Sequence, residues 1–511
     1  MLSAKWRGVV LTAAIVLASA PARLPYLGQA NLSPDAADYI NIARNLAHGR
    51  GLIHSIKWHF FTADGAVHSA VGERPLLYPL CLVPFCGSDF PARACQYATA
   101  LMAVLAAALA AAWARRLRLN WRIVAISAAL IAFNPGLLMC SVFPWTEPLY
   151  LVWLFAVLLV VGRDADSRGA ARWAAALTVL AFLTRPSAAA IALGLCAWYA
   201  YRRAFLPLAN YIVTLLVLLT PWFAFTWAVR GNPFYSVQGF HAVVEDIRDG
   251  MAAGYGAVFP RPISFIVSHF REIVLKVAEQ AVSYLQQLFG PTFLSLIGAF
   301  AFLRAASAAD NAEPGDGPCF AVAFFHFLLP AMTWATFDAV RFMLPCFVIL
   351  AVPAVAEMDR LIERLGKTWG RVAAWFLILG FVGFFYRDQW GQLYGRVASR
   401  HMRDRDLAMQ VARMELDRTV ERNAVIACAD PFSVNYYFDR PTILLPVAAD
   451  PAQRAKSLER FLDEYHPDYL MLSPAEAKDL APRIAAKRLA PAGALEAVGL
   501  QMFRVTPPPV P

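Results

Sequence analysis

Eleven apolar stretches, each of roughly the length needed to cross a lipid bilayer, constrain the fold of this chain more than any other feature. A transmembrane helix needs about 20 predominantly apolar residues. Only 16% of the 511 residues are charged and 59% are hydrophobic, whereas a typical soluble domain carries about 25% charged residues. The sequence therefore predicts an α-helical polytopic membrane protein with about eleven transmembrane helices. The stretches are 8–27, 94–114, 123–142, 147–162, 171–184, 187–201, 207–228, 286–304, 319–336, 342–358 and 372–386.

Basic residues between the predicted spans indicate their orientation. When the N-terminus is placed inside, every inner loop is basic and the short outer turns hold only Arg185 and Arg341, as the positive-inside rule requires. The formal charge of +10 lies mostly in residues 1–390, which hold 30 basic and 21 acidic residues. It therefore reflects topology and not a nucleic-acid surface. The prediction is a multi-pass protein of the cell inner (plasma) membrane, with a cytoplasmic N-terminus and an extracytoplasmic C-terminal domain.

This orientation is testable with reporter fusions along the chain. Fusions placed after Arg122, Arg172 and Arg371 should report the cytoplasm, because basic loops are retained there. Fusions after Gly231 and at the C-terminus should report the outside. A cytoplasmic C-terminus would contradict the prediction, since the tail and the outer loops would then face different compartments.

The N-terminus imitates a secretory signal peptide. Lys5 and Arg7 precede an apolar stretch that reaches Ala18-Ser19-Ala20, a pattern typical of a cleavage site. Pro21 follows directly, and proline is poorly tolerated after the cut. We therefore interpret residues 8–27 as an uncleaved first span.

The eight cysteines show no spacing typical of metal ligands or of a redox motif. Most lie inside or beside apolar stretches, where we expect them to pack as small apolar residues. A bridge between Cys81 and Cys86 outside the membrane is the open alternative. The cysteines are residues 81, 86, 95, 140, 196, 319, 346 and 428.

The predicted topology leaves two extended outer loops within the transmembrane domain of residues 1–390. The first loop, residues 28–93, contains an amphipathic helix from Asp35 to His48. The second loop, residues 229–285, contains a helical pattern near Ile263–Leu285. Both helices are expected along the membrane surface.

The tail, residues 391–511, is more polar and alternates strand and helix patterns. This alternation predicts a small extracytoplasmic α/β domain. The tail has no glycine-rich phosphate loop, so no nucleotide site is predicted. Strands are predicted at Val425–Cys428, Thr442–Leu445, Tyr469–Leu472 and Val498–Val505, and helices at Phe432–Phe438, Pro451–Tyr465 and Pro474–Arg488.

Carboxylates in the outer segments are the residues best suited to carry chemistry, because ionisable groups at a membrane are costly and usually functional. Asp35 and Asp38 open the first-loop helix, and Glu147 begins a span in a very short loop without a basic neighbour. The alternative is structural, since acids at helix starts cap the helix or interact favourably with its dipole. These carboxylates permit a divalent ion, but no ligand spacing requires one, and no metal-ligating residue is assigned.

Three arginines lie at the predicted outer surface of the membrane. Arg74, between Glu73 and Pro75, is placed where a cation can hold a lipid phosphate. Arg185 and Arg341 lie at outer span ends, where the alternative role is snorkelling to the interface.

These residues stand in motifs that resemble those of the C-type (GT-C) glycosyltransferases, which include lipid A aminoarabinose transferases and protein O-mannosyltransferases. The first-loop signature of that family is similar to Asp35-x-x-x-Tyr39 followed by Ala43-x-x-Leu46-x-x-Gly49-x-Gly51-Leu52. Its basic-Pro-Pro-Leu-x-Tyr segment resembles Arg74-Pro75-Leu76-Leu77-Tyr78, with Leu76 in place of the second proline. One departure is that the acid pair Asp-Glu, common in the first loop, is here Asp35-Ala36. Further similar segments are Thr146-Glu147-Pro148-Leu149, Thr184-Arg185-Pro186-Ser187, Pro221-Trp222, Arg341-Phe342-x-Leu344-Pro345 and Tyr436-Tyr437-x-x-Arg440-Pro441.

The resemblance implies a GT-C fold and an inverting transfer of a single sugar from a polyprenyl-phosphate donor. The acceptor is then a glycan, a lipid or a protein at the outer face of the membrane. By family position Asp35 is the catalytic base and Glu147 a second active-site acid. Two alternatives stay open for Asp38: it substitutes for the missing second carboxylate, or that second carboxylate is unnecessary. Arg74 is implied as a phosphate ligand, and the further substrate-binding candidates are Tyr39, Tyr78, Arg185 and Arg341.

Other functions stay open at this point. A lipid or glycan transporter would need charged groups near the bilayer midplane and broken helices in matched halves, and the sequence shows no internal repeat. A ligase that moves a whole oligosaccharide from a diphosphate lipid is the nearest enzymatic alternative. A non-catalytic membrane scaffold is the third.

Overall fold

The computed structural model describes residues 4–27, 32–60, 64–162, 167–237, 262–288, 295–311, 316–333, 339–364, 366, 368–397, 400–446, 451–480 and 488–506. The described residues are mostly helical. The helices are α1 (Ala4–Arg23), α2 (Pro34–Ala47), α3 (Leu77–Leu82), α4 (Ala92–Arg116), α5 (Trp121–Ala132), α6 (Pro135–Val142), α7 (Glu147–Val161), α8 (Arg168–Thr184), α9 (Ala189–Tyr201), α10 (Phe205–Arg230), α11 (Pro262–Ser268), α12 (Phe270–Leu288), α13 (Ser295–Asn311), α14 (Asp316–Thr333), α15 (Ala339–Glu363), α16 (Thr368–Val397), α17 (Arg400–Thr419), α18 (Pro431–Phe438), α19 (Pro451–Tyr465) and α20 (Pro474–Leu480). The strands are β1 (Ile53–His54), β2 (Ile56–Lys57), β3 (His68–Ser69), β4 (Ile426–Cys428), β5 (Thr442–Leu444), β6 (Tyr469–Leu472), β7 (Leu489–Leu495) and β8 (Leu500–Val505).

Each of the eleven predicted spans overlaps a helix. Within the described residues, five helices are long and apolar enough to cross a membrane, namely α1, α4, α10, α15 and α16. The bent pair of α5 and α6, which meet at 44°, makes a sixth if it is one span. The prediction of a polytopic helical membrane protein is confirmed, whereas the count of eleven spans stays a prediction.

Helix α7 lies at the centre of the helix bundle. Its sequence is apolar on every side, which is typical of a helix surrounded by others, and it packs against α4 and α8. The facing side of α4 is rich in buried alanines, among them Ala103, Ala106 and Ala110, because small side chains let two membrane helices approach closely. Helix α7 therefore holds its first residue, Glu147, at a rigid position.

Helices α10 and α16 lie on the outside of the bundle. In α10 and α16 most side chains are exposed although the sequences are strongly apolar. Trp227 on α10 and Phe376 on α16, for example, are 65% and 76% exposed. Large apolar surfaces of this kind are costly in water and favourable against lipid chains, so these two helices present the lipid-facing surface.

The second loop follows α10. The helix predicted near Ile263–Leu285 is present as two helices, α11 and α12. Residues 238–261 of this loop lie outside the described residues, as do residues 507–511 at the end of the chain.

The strands of the tail form a sheet that also includes a strand of the first loop. The order is β2-β5-β4-β6-β8-β7, with β2, β5, β4 and β6 parallel to one another, β8 antiparallel to β6, and β7 antiparallel to β8. In β2, Ile56 lies opposite Thr442. The strands and helices predicted for the tail are present near their predicted positions, but β2 and β7 were not predicted. Strand β2, with two residues, is too short to show the alternation by which strands are recognised.

Side chains on α2 also attach the tail to the first loop. The buried Arg44 donates hydrogen bonds to the carbonyl oxygens of Asn435 and Tyr436 at 2.9 and 2.8 Å. Asn41 Nδ2 donates to Asn435 Oδ1 at 2.8 Å. The tail is thus bonded to the helix that begins next to Asp35, and the domain boundary near residue 390 stays a prediction.

The cysteines are all free thiols. Cys86 Sγ lies 3.7 Å from Cys95 Sγ, and both residues are buried. The Cys81–Cys86 bridge, left open by the sequence, is therefore not formed. Most of the other cysteines are buried, as the expectation of small packed residues requires.

Candidate active site

The first turn of α2 carries Asp35. Ser33 is the N-cap of this helix, since its Oγ accepts a hydrogen bond from the backbone nitrogen of Ala36 at 3.2 Å. Asp35 therefore does not cap the helix. Its carboxylate lies between two arginines instead, with Oδ1 2.7 Å from Arg74 Nη2 and Oδ2 2.5 Å from Arg341 Nη1.

Asp38 lies one turn further along α2 and is fully buried. Its Oδ2 accepts hydrogen bonds from Arg74 Nε at 2.8 Å and from Arg74 Nη2 at 2.7 Å. Its Oδ1 lies 2.9 Å from His54 Nε2. Asp38 thus holds the guanidinium of Arg74, while Asp35 remains 24% exposed.

Arg74 owes its position to the turn before it. Gly72 has a φ of +83°, and a Cβ at this position would lie 2.1 Å from the ring of Tyr235, so that only glycine fits. The guanidinium of Arg74 also lies against two aromatic rings, 5.4 Å from the centre of Tyr39 and 5.7 Å from that of Trp58. Such cation–π contacts add to the hold on a buried arginine.

Glu147 is the first residue of α7 and is buried. Its Oε1 forms ion pairs with both Arg185 and Arg341. Arg185 also donates to Thr146 Oγ1 at 3.2 Å, and the guanidinium of Arg341 lies 4.3 Å from the ring centre of Trp145. Snorkelling does not describe these arginines, because both point at a buried carboxylate.

The six ionised side chains form one continuous network of alternating charge, which we call the charged network: Asp38, Arg74, Asp35, Arg341, Glu147 and Arg185. Burial alone would raise the pKa of Asp35, but Arg74 and Arg341 outweigh it and hold that pKa well below its usual range. Asp35 is therefore ionised at neutral pH. It is also the most exposed of the three carboxylates.

The two predicted tyrosines lie in the wall beside the network. Tyr39 packs edge to face against Tyr78, with ring centres 5.2 Å apart. The hydroxyl of Tyr78 lies 2.7 Å from Thr99 Oγ1 on α4. Tyr39 contacts Arg74 directly, and Tyr78 supports Tyr39 from behind. Their role in substrate binding stays a prediction.

A small pocket lies beside Arg185 and Arg341. Its wall contains His326, whose Nε2 lies 2.6 Å from the hydroxyl of Tyr150. His326 was not singled out in the sequence, although a histidine inside an apolar span is itself a signal of function. The remaining lining residues are Ser187, Ala190, Leu329, Phe342 and Pro345.

Sequence reasoning also missed three histidines of the first loop. His54 contacts Asp38, and His59 and His68 contact Glu73. Their spacing along the chain matches no metal or catalytic motif, so only the folded loop brings them together.

The fold and the charged network define a class: a helical membrane protein with a buried ionic site at one end of its bundle. No family model matches the sequence, and no curated protein matches it significantly. Solved structures, by contrast, match nearly the whole chain. The apo structure of ArnT from Cupriavidus metallidurans superimposes with a TM-score of 0.60 at 15% identity, over 99% of this chain and 100% of that one.

Two further structures agree. ArnT from the same organism bound to undecaprenyl phosphate gives a TM-score of 0.57 at 15% identity, over 99% and 100% of the two chains. The oligosaccharyltransferase AglB from Archaeoglobus fulgidus, in complex with an inhibitory peptide and a dolichol-phosphate, gives 0.57 at 12% identity, over 91% and 70%. The chain therefore has the GT-C fold of these proteins, and the fold implied by the sequence motifs is confirmed.

Proposed function

We propose that this protein is an inverting glycosyltransferase. It moves a single sugar from a polyprenyl-phosphate donor to a glycan, lipid or protein acceptor at the outer face of the inner membrane. The observation that carries the proposal is the charged network, in which a partly exposed carboxylate, Asp35, lies between Arg74 and Arg341. A base and two phosphate-binding cations at one point are what this transfer requires.

The proposed reaction assigns a role to each charge. Asp35 takes the proton of the acceptor hydroxyl or amine while the acceptor atom attacks the anomeric carbon. The bond from that carbon to the phosphate oxygen breaks, and the lipid phosphate leaves with the electron pair. Arg74 and Arg341 stabilise the phosphate, since guanidinium groups bind phosphate oxygens in pairs.

Donor binding also adjusts the base. Arg74 and Arg341 hold the pKa of Asp35 low because they pair with its carboxylate. A donor phosphate that draws these arginines toward itself weakens that pairing and makes Asp35 a stronger base. Through the charged network, donor binding thus increases the proton affinity of Asp35.

The residues that line the small pocket beside the network support a lipid-linked donor. The pocket combines the cations Arg185 and Arg341 with apolar residues such as Leu329 and Phe342. A polyprenyl phosphate has the matching parts, because its phosphate can pair with the arginines and its hydrocarbon chain can contact the apolar residues. The two similar proteins were solved with undecaprenyl phosphate and with a dolichol-phosphate, which are polyprenyl phosphates of this class.

An oligosaccharide ligase is the second candidate, because AglB shares the fold and is an oligosaccharyltransferase. Its donor would carry a diphosphate and a whole oligosaccharide. A transporter has less support, since the charged network lies where loops meet helix ends and not midway along the helices.

The experiment is lipid and glycan analysis of a deletion strain. The expected result is accumulation of one polyprenyl-monophosphate sugar together with an envelope glycan, lipid or protein that lacks a single residue. Accumulation of a diphosphate-linked oligosaccharide would support the ligase instead. Unchanged lipid carriers with a mislocalised lipid would point to transport.

A further inference from the structure

Two buried cysteines lie against each other at the start of α4. Cys86 follows the short helical turn after α3, and Cys95 lies in the first turn of α4. Their sulfur atoms are 3.7 Å apart, and both residues are fully buried. Both are thiols in the structure, and the proposed sugar transfer uses neither of them.

The position of the two cysteines in the predicted topology decides which redox conditions they meet. The last turn of α4 carries Arg115 and Arg116, and basic residues at the end of a span indicate its cytoplasmic side. Cys95, at the opposite end of α4, and Cys86, in the first outer loop, are therefore predicted on the outer side. Extracytoplasmic compartments are oxidising, and disulfides form and persist there. This step rests on the predicted orientation and not on the proposed sugar transfer.

The geometry around the two sulfurs suits a bond between them. A disulfide joins its sulfurs at about 2.05 Å, and the observed 3.7 Å already places the two sulfurs in contact, so that rotation of the two side chains closes the remaining gap. The backbone on both sides is hydrogen-bonded. Cys86 N donates to the carbonyl oxygen of Val83 at 3.1 Å, and Cys95 N donates to that of Pro91 at 3.0 Å.

We propose that Cys86 and Cys95 are joined by a disulfide bond in the cell. One thiolate attacks the disulfide of an extracytoplasmic thiol–disulfide oxidant and forms a mixed disulfide with it. The second thiolate then attacks the cysteine sulfur of that intermediate, and the oxidant leaves as a dithiol. The chain loses two electrons and two protons, and the oxidant gains them. Because both cysteines are buried in the folded protein, this exchange takes place while the chain folds.

The bridge supports the wall of the proposed active site, because it joins the turn after α3 to α4. The hydroxyl of Tyr78 on α3 is 2.7 Å from Thr99 Oγ1 on α4, which donates to the carbonyl oxygen of Cys95 at 2.7 Å. Tyr78 packs against Tyr39, and Tyr39 contacts the guanidinium of Arg74. The bridge therefore holds together the two helices that support Tyr39.

The segment between the two cysteines also contacts the tail. The hydroxyl of Tyr436 accepts a hydrogen bond from the backbone nitrogen of Ala92 at 3.1 Å, and its ring centre lies 6.3 Å from that of Phe90. Asp89 Oδ1 lies 3.3 Å from Arg413 Nη2. By closing this segment into a loop, the bridge restricts the surface against which the tail packs.

The test counts free thiols in the full-length protein. Cells are quenched in acid, and the protein is treated with N-ethylmaleimide in denaturant before purification, so that no thiol oxidises during handling. The chain has eight cysteines, and the intact mass should show two adducts fewer than eight, whereas a sample reduced before alkylation should show all eight. Peptide mapping without reduction should find the peptides of Cys86 and Cys95 linked. Eight adducts on the unreduced wild-type protein, or a bridge to a different cysteine, would overturn the proposal.

Two variants test the pairing and its effect on stability. Cys86→Ser should free the thiol of Cys95, so that all of its remaining cysteines react. Cys196→Ser, which alters a half-buried cysteine on α9, is the matched control and should keep the bridge. Reduction should lower the thermal midpoint of the wild type and of Cys196→Ser but not that of Cys86→Ser, because a disulfide constrains the unfolded chain.

A wild-type midpoint that does not respond to reduction would contradict the supporting role of the bridge. None of these measurements depends on glycosyl transfer, so the proposed function and the disulfide fail separately.

Discussion

Asp35→Asn should abolish most of the turnover while leaving the protein in the membrane at normal abundance. A positioned general base typically contributes about 10²–10⁴-fold in rate, and an amide of the same size cannot accept the acceptor's proton. Ser33, not Asp35, caps helix α2, so the helix keeps its cap in this variant. The measurement is the single-turnover rate with a synthetic polyprenyl-phosphate sugar, together with donor affinity, which should change much less than the rate.

Two further variants serve as a control and a comparison for Asp35→Asn. Asp430→Asn changes the N-cap of α18, whose carboxylate pairs with Arg405 at an exposed site, and should leave the turnover unchanged. Asp38→Asn should lose less than Asp35→Asn, since Asp38 holds Arg74 and is fully buried, whereas Asp35 is 24% exposed. Wild-type turnover by Asp35→Asn with an inactive Asp38→Asn or Glu147→Gln would move the base to another carboxylate. Equal activity in Asp35→Asn, Asp38→Asn and Glu147→Gln would rule out the carboxylate mechanism and favour transport.

Arg341→Gln should reduce both donor affinity and turnover, by about 10–150-fold for each charge-assisted hydrogen bond that the donor phosphate loses. Arg341 joins the two halves of the charged network, since it pairs with Asp35 and with Glu147. Arg341→Lys should restore little, because a single ammonium group does not span two carboxylates as a guanidinium does. The measurements are donor binding by titration and turnover at saturating donor.

Stability must be followed in the same variants. Removing one partner of a buried ion pair costs about 3–5 kcal/mol, and Glu147 would keep only Arg185 as its cation. Arg341→Gln leaves the charged network with one excess negative charge. Arg341→Gln/Glu147→Gln removes that excess and should recover part of the thermal stability without recovering activity. Arg405→Gln, at the exposed pair with Asp430, is the matched control. If the double variant regains both stability and turnover, Arg341 is a structural residue only.

The charged network meets His54 of the first loop at Asp38. Its Oδ2 holds Arg74, and its Oδ1 accepts from His54. Whether Asp38 substitutes for the second acid missing directly after Asp35 stays a prediction. Asp38 bonds Arg74 and is fully buried, while Asp35 remains partly exposed.

The membrane class and most of the helix positions followed from the sequence alone. Apolar stretches and basic loops act locally, because each helix must satisfy its own backbone and its own surroundings in lipid. The motifs around Asp35, Arg74 and Glu147 likewise identified these residues one by one. Most of the tail elements were also predictable, since their turn and strand signals lie within short segments, but β7 was not.

What only the tertiary structure decided is which of these residues meet. Asp35 and Arg341 are 306 positions apart in the chain, and nothing local pairs them with each other or with Glu147. Strand β2 has two residues and joins the tail sheet beside β5, where α2 is also bonded to Asn435 and Tyr436. His54 and His68 become neighbours through strand pairing. Ion pairs and hydrogen bonds form only when two groups lie within a few ångströms of each other. For groups far apart in sequence, tertiary packing sets these distances.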